Sequence, residues 1–381
     1  MTNQLFKKSG HTMTRINLLI FPLVIVLLLI ALALPGMCKE KGTTESQINF
    51  IPPLMDSIQF SDEIKFCGIK IPHGNPEIRQ RLEKEVLLAV HNRPQVILWM
   101  KRSARYFPHI EKILKQENLP LDLKYVPVVE SALRPHSGSS KGAVGYWQFL
   151  KSTGKRYGLR IDGNIDDRRN IFKSTRAACN YLKELKAEFG SYLLALSAYN
   201  MGEFGLNAEI EAQENRDFFS LYLPLETQQY MFKIIAVKMI LEHPEKYGFF
   251  LKPSDLYPEF RFSKINFNLN TKIPIVIIAQ AAKISFKQIK DMNPEIRGYH
   301  LDSGKITLLI PEGKEKGFKK RFSKLYGERA KNYKIKIHVV KPGESLTRIA
   351  KKYNMSLASL LRLNNFPFKK VIHPGDRLLV R

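Results

Sequence analysis

The chain has 381 residues, 44% of them apolar, which is too long for one compact core and too hydrophobic for a largely disordered chain, so two or three domains are expected. Its 61 Lys and Arg against 35 Asp and Glu give a formal charge of +26, which points to an anionic partner and is compatible with nucleic acid, anionic lipid or a carboxylate-bearing cell wall. Three cysteines with no CxxC and no His/Cys spacing of a metal site argue against a metal, and no cofactor is expected.

At the N-terminus, Lys7, Lys8 and Arg15 precede an uncharged run from Ile16 to Leu34 that reads as the basic and apolar parts of an export signal. Its length suits either a cleaved leader or a membrane anchor over residues 1–38, since a spanning helix needs roughly 20 apolar residues. Cys38 stands where a lipidated cysteine would, although Met37 occupies a position where a small residue is expected, and Ala31-Leu32-Ala33 offers another cleavage pattern. A cytoplasmic DNA-binding protein has no use for such a segment. The expected partner is therefore cell-envelope material on the periplasmic side, not nucleic acid, and the chain is expected to be membrane-attached and monomeric. Cys67 and Cys179 are the other two thiols; they could pair if the fold joined them, but separate apolar positions account for them as well.

Residues 39–76 mix Gly, Pro, Thr and Ser with scattered apolar side chains and read as a tether with one short strand near Ile64 to Ile71. From 77 to 250 apolar residues recur at helical spacing, as in Ile110, Ile113 and Leu114, which predicts an all-α domain. Within it, LKYVPVVESAL (123–133) sets one carboxylate, Glu130, in an apolar stretch. Desolvation would hold it protonated, as a general acid at neutral pH requires; a lone helical Glu is otherwise a solvated one. Downstream lie the loop SGSS (137–140), then Gly145-Tyr146-Trp147-Gln148-Phe149, then Ala198-Tyr199-Asn200-Met201-Gly202. These clusters combine small residues with amide and phenol groups, suited to a groove for sugar rings. Trp147 is as readily explained by core packing.

Glu130-Ser131, GYWQF, DDRRN (166–170) and AYNMG (198–202) together resemble the lytic transglycosylases with a goose-type lysozyme-like domain, in particular their membrane-bound lytic murein transglycosylase D group. The resemblance covers about residues 95–245. Tyr146, Met201 and Phe204 depart from the common pattern, at positions that bear on subsites. The resemblance implies cleavage of the β-1,4 bond between N-acetylmuramic acid and N-acetylglucosamine in peptidoglycan without water, ending in a 1,6-anhydro sugar. It assigns Glu130 as acid and then base, with Ser131, Gly145, Gln148, Tyr199 and Asn200 at the substrate. Asp166 and Arg168 read as a scaffolding ion pair. Glycosidases that use water normally pair two carboxylates about 5–10 Å apart, and the motifs offer no obvious second one. A water-using muramidase and a decayed wall-binding protein are the alternatives.

Beyond residue 250 the pattern becomes short and β-rich, and it repeats. Shifted by 71 positions without a gap, Ile278, Ala279, Ser285, Asn293, Gly304 and Leu308 fall on Ile349, Ala350, Ser356, Asn364, Gly375 and Leu379. Each copy (262–312 and 335–381) reads as strand, two short helices, strand. Residues 313–334 between them, with nine Lys/Arg and two Glu, read as a solvated basic linker, partly helical at most. The second copy resembles a LysM module over its whole length, which implies glycan binding at Gly343, Glu344, Ser345, Leu346 and around Ile372. The first copy has Thr271-Lys272 where the second has Pro342-Gly343, so it is expected to keep the fold and to pack against the catalytic domain. The architecture expected is thus α+β and multidomain: an all-α lysozyme-like catalytic domain, one degenerate βααβ LysM-type module and one intact one.

Overall fold

The structure, a computed structural model, describes residues 53–60, 62–332 and 335–381. The expected export segment and Cys38 lie outside the described residues. Among the described residues no helix is long and apolar enough to cross a membrane.

A short 3-10 helix (Leu54–Ile58) opens the described chain, and a hairpin of β1 (Lys65–Phe66) and β2 (Ile69–Lys70) follows, turned by Cys67 and Gly68 at φ 48° and 80°. Eight helices follow: α1 (Pro76–His91), α2 (Arg93–Gln116), α3 (Val126–Ser131), α4 (Lys151–Arg156), α5 (Ile171–Phe189), α6 (Tyr192–Met201), α7 (Glu203–Gln213) and α8 (Leu225–Glu242). Local chemistry sets several of their ends. Asn75 caps α1 by accepting from the Glu77 N–H at 2.9 Å, with Pro76 in the first turn. Asn170 caps α5 at both Phe172 and Lys173, and Gly190 in the left-handed region ends it. One core runs from Ile58 to Phe249. It includes Phe60, Ile64, Phe66 and Ile71, so the tether expected over residues 39–76 is corrected: from 58 onward that stretch is domain core, because these apolar residues are buried in the same cluster as the helices.

A second core holds β3 (Ser263–Leu269), β4 (Ile273–Pro274), α9 (Ile275–Ala282), α10 (Phe286–Met292), β5 (His300–Leu301), β6 (Gly304–Ile310) and α11 (Phe318–Asn332). β3 and β6 pair antiparallel from Ser263↔Ile310 to Leu269↔Gly304, and Ile265, Phe267 and Leu269 alternate inward. The solvated linker is corrected too. Residues 318–332 form α11, whose Phe318 and Phe322 pack on Phe267 with ring centroids 6.0 and 4.8 Å apart. Its aromatic stripe at i, i+4 outweighs its charge, since lysines can cover apolar surface while their ammonium groups stay in water.

The third core joins β7 (Lys336–Val339) and β8 (Arg377–Val380) to α12 (Leu346–Lys352) and α13 (Leu357–Asn364). In both modules an asparagine at the end of the second helix clamps the last strand. Asn293 donates to Ile289 O and Leu309 O and accepts from Leu309 N; Asn364 does the same with Leu360 and Leu379. The clamp reaches 16 residues in the first copy and 15 in the second. The ungapped match of Leu308 to Leu379 is therefore one residue out of register: Leu309 is the counterpart of Leu379, and Leu308 and Ile310 point inward as Leu378 and Val380 do.

Candidate active site

Glu130 occupies the last turn of α3, a six-residue helix entered at Pro127. Ala132 and Leu133 follow with φ of 50° and 56°. Two successive left-handed residues with side chains cost about 1 kcal/mol or more each. They turn the chain away directly after Ser131 into the 134–149 loop, leaving Glu130 at the helix end.

The residue is half-buried, and its Oε1 accepts a hydrogen bond from Tyr230 Oη at 2.6 Å. Burial pushes the Glu130 carboxyl up to about 7; the hydrogen bond from Tyr230 opposes this, and the charge of Glu226 adds to it. Tyr199 and Tyr230 lie within electrostatic reach of Glu130, and burial, followed by its negative charge, holds both phenols well above 10. Both are neutral donors at any working pH. Burial thus favours the protonated acid, while Tyr230 is a donor in place for its anion.

The other expected residues divide into a face and a support. Tyr199 Oη donates to Trp147 O at 2.5 Å, and Asn200 Oδ1 accepts from Thr227 Oγ1 at 2.9 Å, tying α6 to the first turn of α8. Gln148, half-buried at φ 48°, donates to Gly145 O at 2.8 Å, and its Oε1 takes no hydrogen bond from the described residues. Of these three, Tyr199 lies within electrostatic reach of Glu130. Ser131 and Gly145 are supports. The Ser131 hydroxyl is buried between Pro127 O (2.9 Å) and Tyr146 O (2.8 Å), so its expected contact with sugar is corrected to a brace between α3 and the 145–149 loop. Gly145 is buried at φ 88°, and a Cβ there would lie 1.9 Å from Arg168 O; the position demands glycine for backbone approach, not for substrate. Trp147 is fully buried and donates from Nε1 to Thr175 Oγ1 at 2.9 Å, which favours the packing account.

Asp166 and Arg168 form a buried bidentate pair at 2.8 and 2.9 Å, and Arg168 Nη1 also donates to Gly142 O and Phe149 O. Asp167 is paired with Lys173 at 3.0 Å. Neither aspartate has an unpaired carboxylate to act as a second catalytic one. The acid whose charge reaches Glu130 is Glu226, exposed in the first turn of α8. Motif reading missed both Glu226 and Tyr230. The available signal was a phenol one helical turn beyond a carboxylate in α8, and its meaning depended on α8 packing against α3. Cys67 is half-buried and Cys179 buried, both as free thiols.

In the third core, Gly343 turns at φ 80° and Ser345 caps α12 by accepting from Arg348 N at 3.3 Å. Glu344 Oε2 accepts from Lys341 N at 2.8 Å and lies 2.7 Å from His338 Nε2; the Lys341 N–H first, and then His338, hold its carboxyl down to about 2. These three residues shape the turn. Leu346 and Ile372, both half-buried against the module core, supply apolar surface on the two loops. In the first module the corresponding region faces α13. Pro274, Val276, Tyr299 and Leu363 border a cleft of about 340 Å³, and the Tyr299 ring lies between Phe286 (5.6 Å) and the Arg362 guanidinium (5.3 Å).

The helical domain with its appended βααβ modules is of the SLT transglycosylase class: the chain matches the transglycosylase SLT domain over residues 108–221 and the LysM domain over 275–311 and 338–381. The chain belongs to the family of membrane-bound lytic murein transglycosylase D. It is 31% identical over 331 residues to the membrane-bound lytic murein transglycosylase D of Escherichia coli (strain K12), spanning 83% of this chain and 72% of that protein. It is also 39% identical over 118 residues to the peptidoglycan transglycosylase gp16 of Escherichia phage T7, over 30% of this chain and 9% of that one.

Proposed function

We propose that the protein cleaves the β-1,4 bond between N-acetylmuramic acid and N-acetylglucosamine in peptidoglycan and leaves 1,6-anhydromuramic ends. The observation that carries this is the setting of Glu130: its carboxyl, in the last turn of α3, accepts from Tyr230 Oη at 2.6 Å, and burial pushes it up to about 7. Glu130 gives its proton to the departing glycosidic oxygen. The resulting carboxylate is met by the Tyr230 hydroxyl and then removes the proton from the muramic C6 hydroxyl as that oxygen attacks C1. Gln148, Tyr199 and Asn200 orient the sugar. The second LysM module keeps the enzyme on the glycan through the loops of Gly343–Leu346 and Ile372, raising the local substrate concentration. The site of action is the periplasmic side of the envelope, with the chain attached to the membrane through residues 1–38 and acting as a monomer.

Mass spectrometry of glycan fragments released from purified sacculi tests the product. Anhydro ends are expected. One observation favours a second reading: Glu226 is close enough for its charge to reach Glu130, so it could activate water in a muramidase. Reducing ends without any anhydro form, lost in Glu226→Gln, would establish that reading instead.

A further inference from the structure

The first LysM-type module is joined to the catalytic domain through backbone. Ile165 and Ile296 form an antiparallel bridge, in which Asp166 N donates to Glu295 O at 2.8 Å and Arg297 N to Asn164 O at 2.7 Å. Ile296 is buried, and Ile165 packs into the same core as Ile275 and Leu308 of the module. The Glu295 carboxyl is buried and accepts from Asn170 Nδ2 at 2.9 Å, while Asp302 accepts from Asn164 Nδ2 at 2.6 Å. Rim ion pairs between domains are worth little, but this joint has a buried hydrogen bond at Glu295 and a half-buried one at Asp302 beside a backbone bridge.

The same loop supports the active site on its other side. Asp166 holds Arg168, and Arg168 holds the carbonyls of Gly142 and Phe149, at either end of the turn that carries Gln148. That turn meets Ser131 through Tyr146 O and Tyr199 through Trp147 O. Asn170, the partner of Glu295, also caps α5, whose Thr175 fixes the Trp147 indole. The cleft of this module is meanwhile shared with α13, and Tyr299, still exposed, packs against Phe286 and the Arg362 guanidinium.

We infer that the first module is a positioning part of the catalytic centre: Glu295 and the strand-like segment to Arg297 hold residues 164–170, and these hold the 145–149 turn, which is hydrogen-bonded to Ser131, the neighbour of Glu130, and to Tyr199. This rests on the transglycosylase reading above. Glu295 Oε2 has no hydrogen-bond partner among the described residues, and burial raises the carboxyl. Only the acceptor oxygen facing Asn170 is used, so glutamine can replace it and alanine cannot.

The test uses the full chain on soluble, uncross-linked glycan strands, with kcat and KM measured separately, sacculus retention measured alongside, and thermal melts to confirm folding. For Glu295→Ala we expect kcat to fall about tenfold to a hundredfold with KM within about twofold, as small misplacements of a positioning group do. Retention on sacculi should be unchanged, and Glu295→Gln should return kcat to within about twofold of the parent. The inference is overturned by an unchanged kcat in Glu295→Ala, by a loss confined to KM or retention, or by a glutamine variant as slow as alanine. Should Glu295→Ala fail to fold, Asp302→Ala at the rim of the same joint decides: a kcat fall of about threefold at constant KM supports the inference, and no fall overturns it. A parent enzyme that releases no fragments would sink the transglycosylase reading, a distinguishable result.

Discussion

Glu130 is costly to the fold and useful for that reason. Its ordinary value is 4.5 and in the folded chain it is pushed up to about 7. Between those values the folded chain binds more protons than the unfolded one, so stability falls as pH rises through that window. Glu130→Gln removes the loss: it should melt above the parent at pH 8, by about 1–3 kcal/mol, and below pH 4 the advantage should vanish. In the same variant glycan cleavage should fall by about 10²–10⁴. Calorimetry and fragment release check the two outcomes independently, and a variant that is less stable at pH 8 would contradict the burial account. Tyr230→Phe removes the hydrogen bond that favours the anion. The alkaline limb of kcat/KM, set by loss of the Glu130 proton near pH 7, should move to higher pH while the rate drops.

Two short elements frame that acid, and their predictions separate support from contact. Ser131→Ala loses one buried hydroxyl donor and should cost about 1 kcal/mol in a denaturant melt, with fragment release little changed. Gly145→Ala must push the Arg168 backbone aside. It should cost about 2–4 kcal/mol and slow cleavage, because the Gln148 turn moves with it. Asn364 makes three hydrogen bonds across the small third core, so Asn364→Ala should cost that module about 2–3 kcal/mol. Retention on sacculi should fall sharply while kcat on soluble glycan persists; equal loss of both would mean the module is needed for catalysis.

Across the whole molecule three cores share the work, and the net charge of +26 suits a wall rich in carboxylates. The double substitution Leu346→Asp and Ile372→Asp places charge on both loops of the second module. It should lower retention on sacculi by about 10² by removing one of two linked binding events, and leave cleavage of short soluble strands intact. Retention by the parent should also weaken with added salt, most steeply at low ionic strength. At this scale residues 318–332 and 58–71 pack against their neighbours where composition reads as linker and tether, because composition shows what a segment tolerates in water, not which apolar side chains its neighbours cover.

The amino-acid sequence alone determined the acid in an apolar segment, the ordered clusters that made it catalytic in prospect, and the repeated module with its matched asparagines. Those features are local or periodic, and short-range caps, turns and side-chain periods enforce them wherever the segment lies. Tertiary packing decided the rest. Tyr230 reaches Glu130 across 100 residues because α8 lies against α3, Ser131 and Gly145 became supports because two loops meet behind the site, and the first module took its place beside the catalytic groove because Ile165 and Ile296 pair. Hydrogen-bond partners so far apart in the chain are chosen by how the elements pack, and no local pattern records that choice.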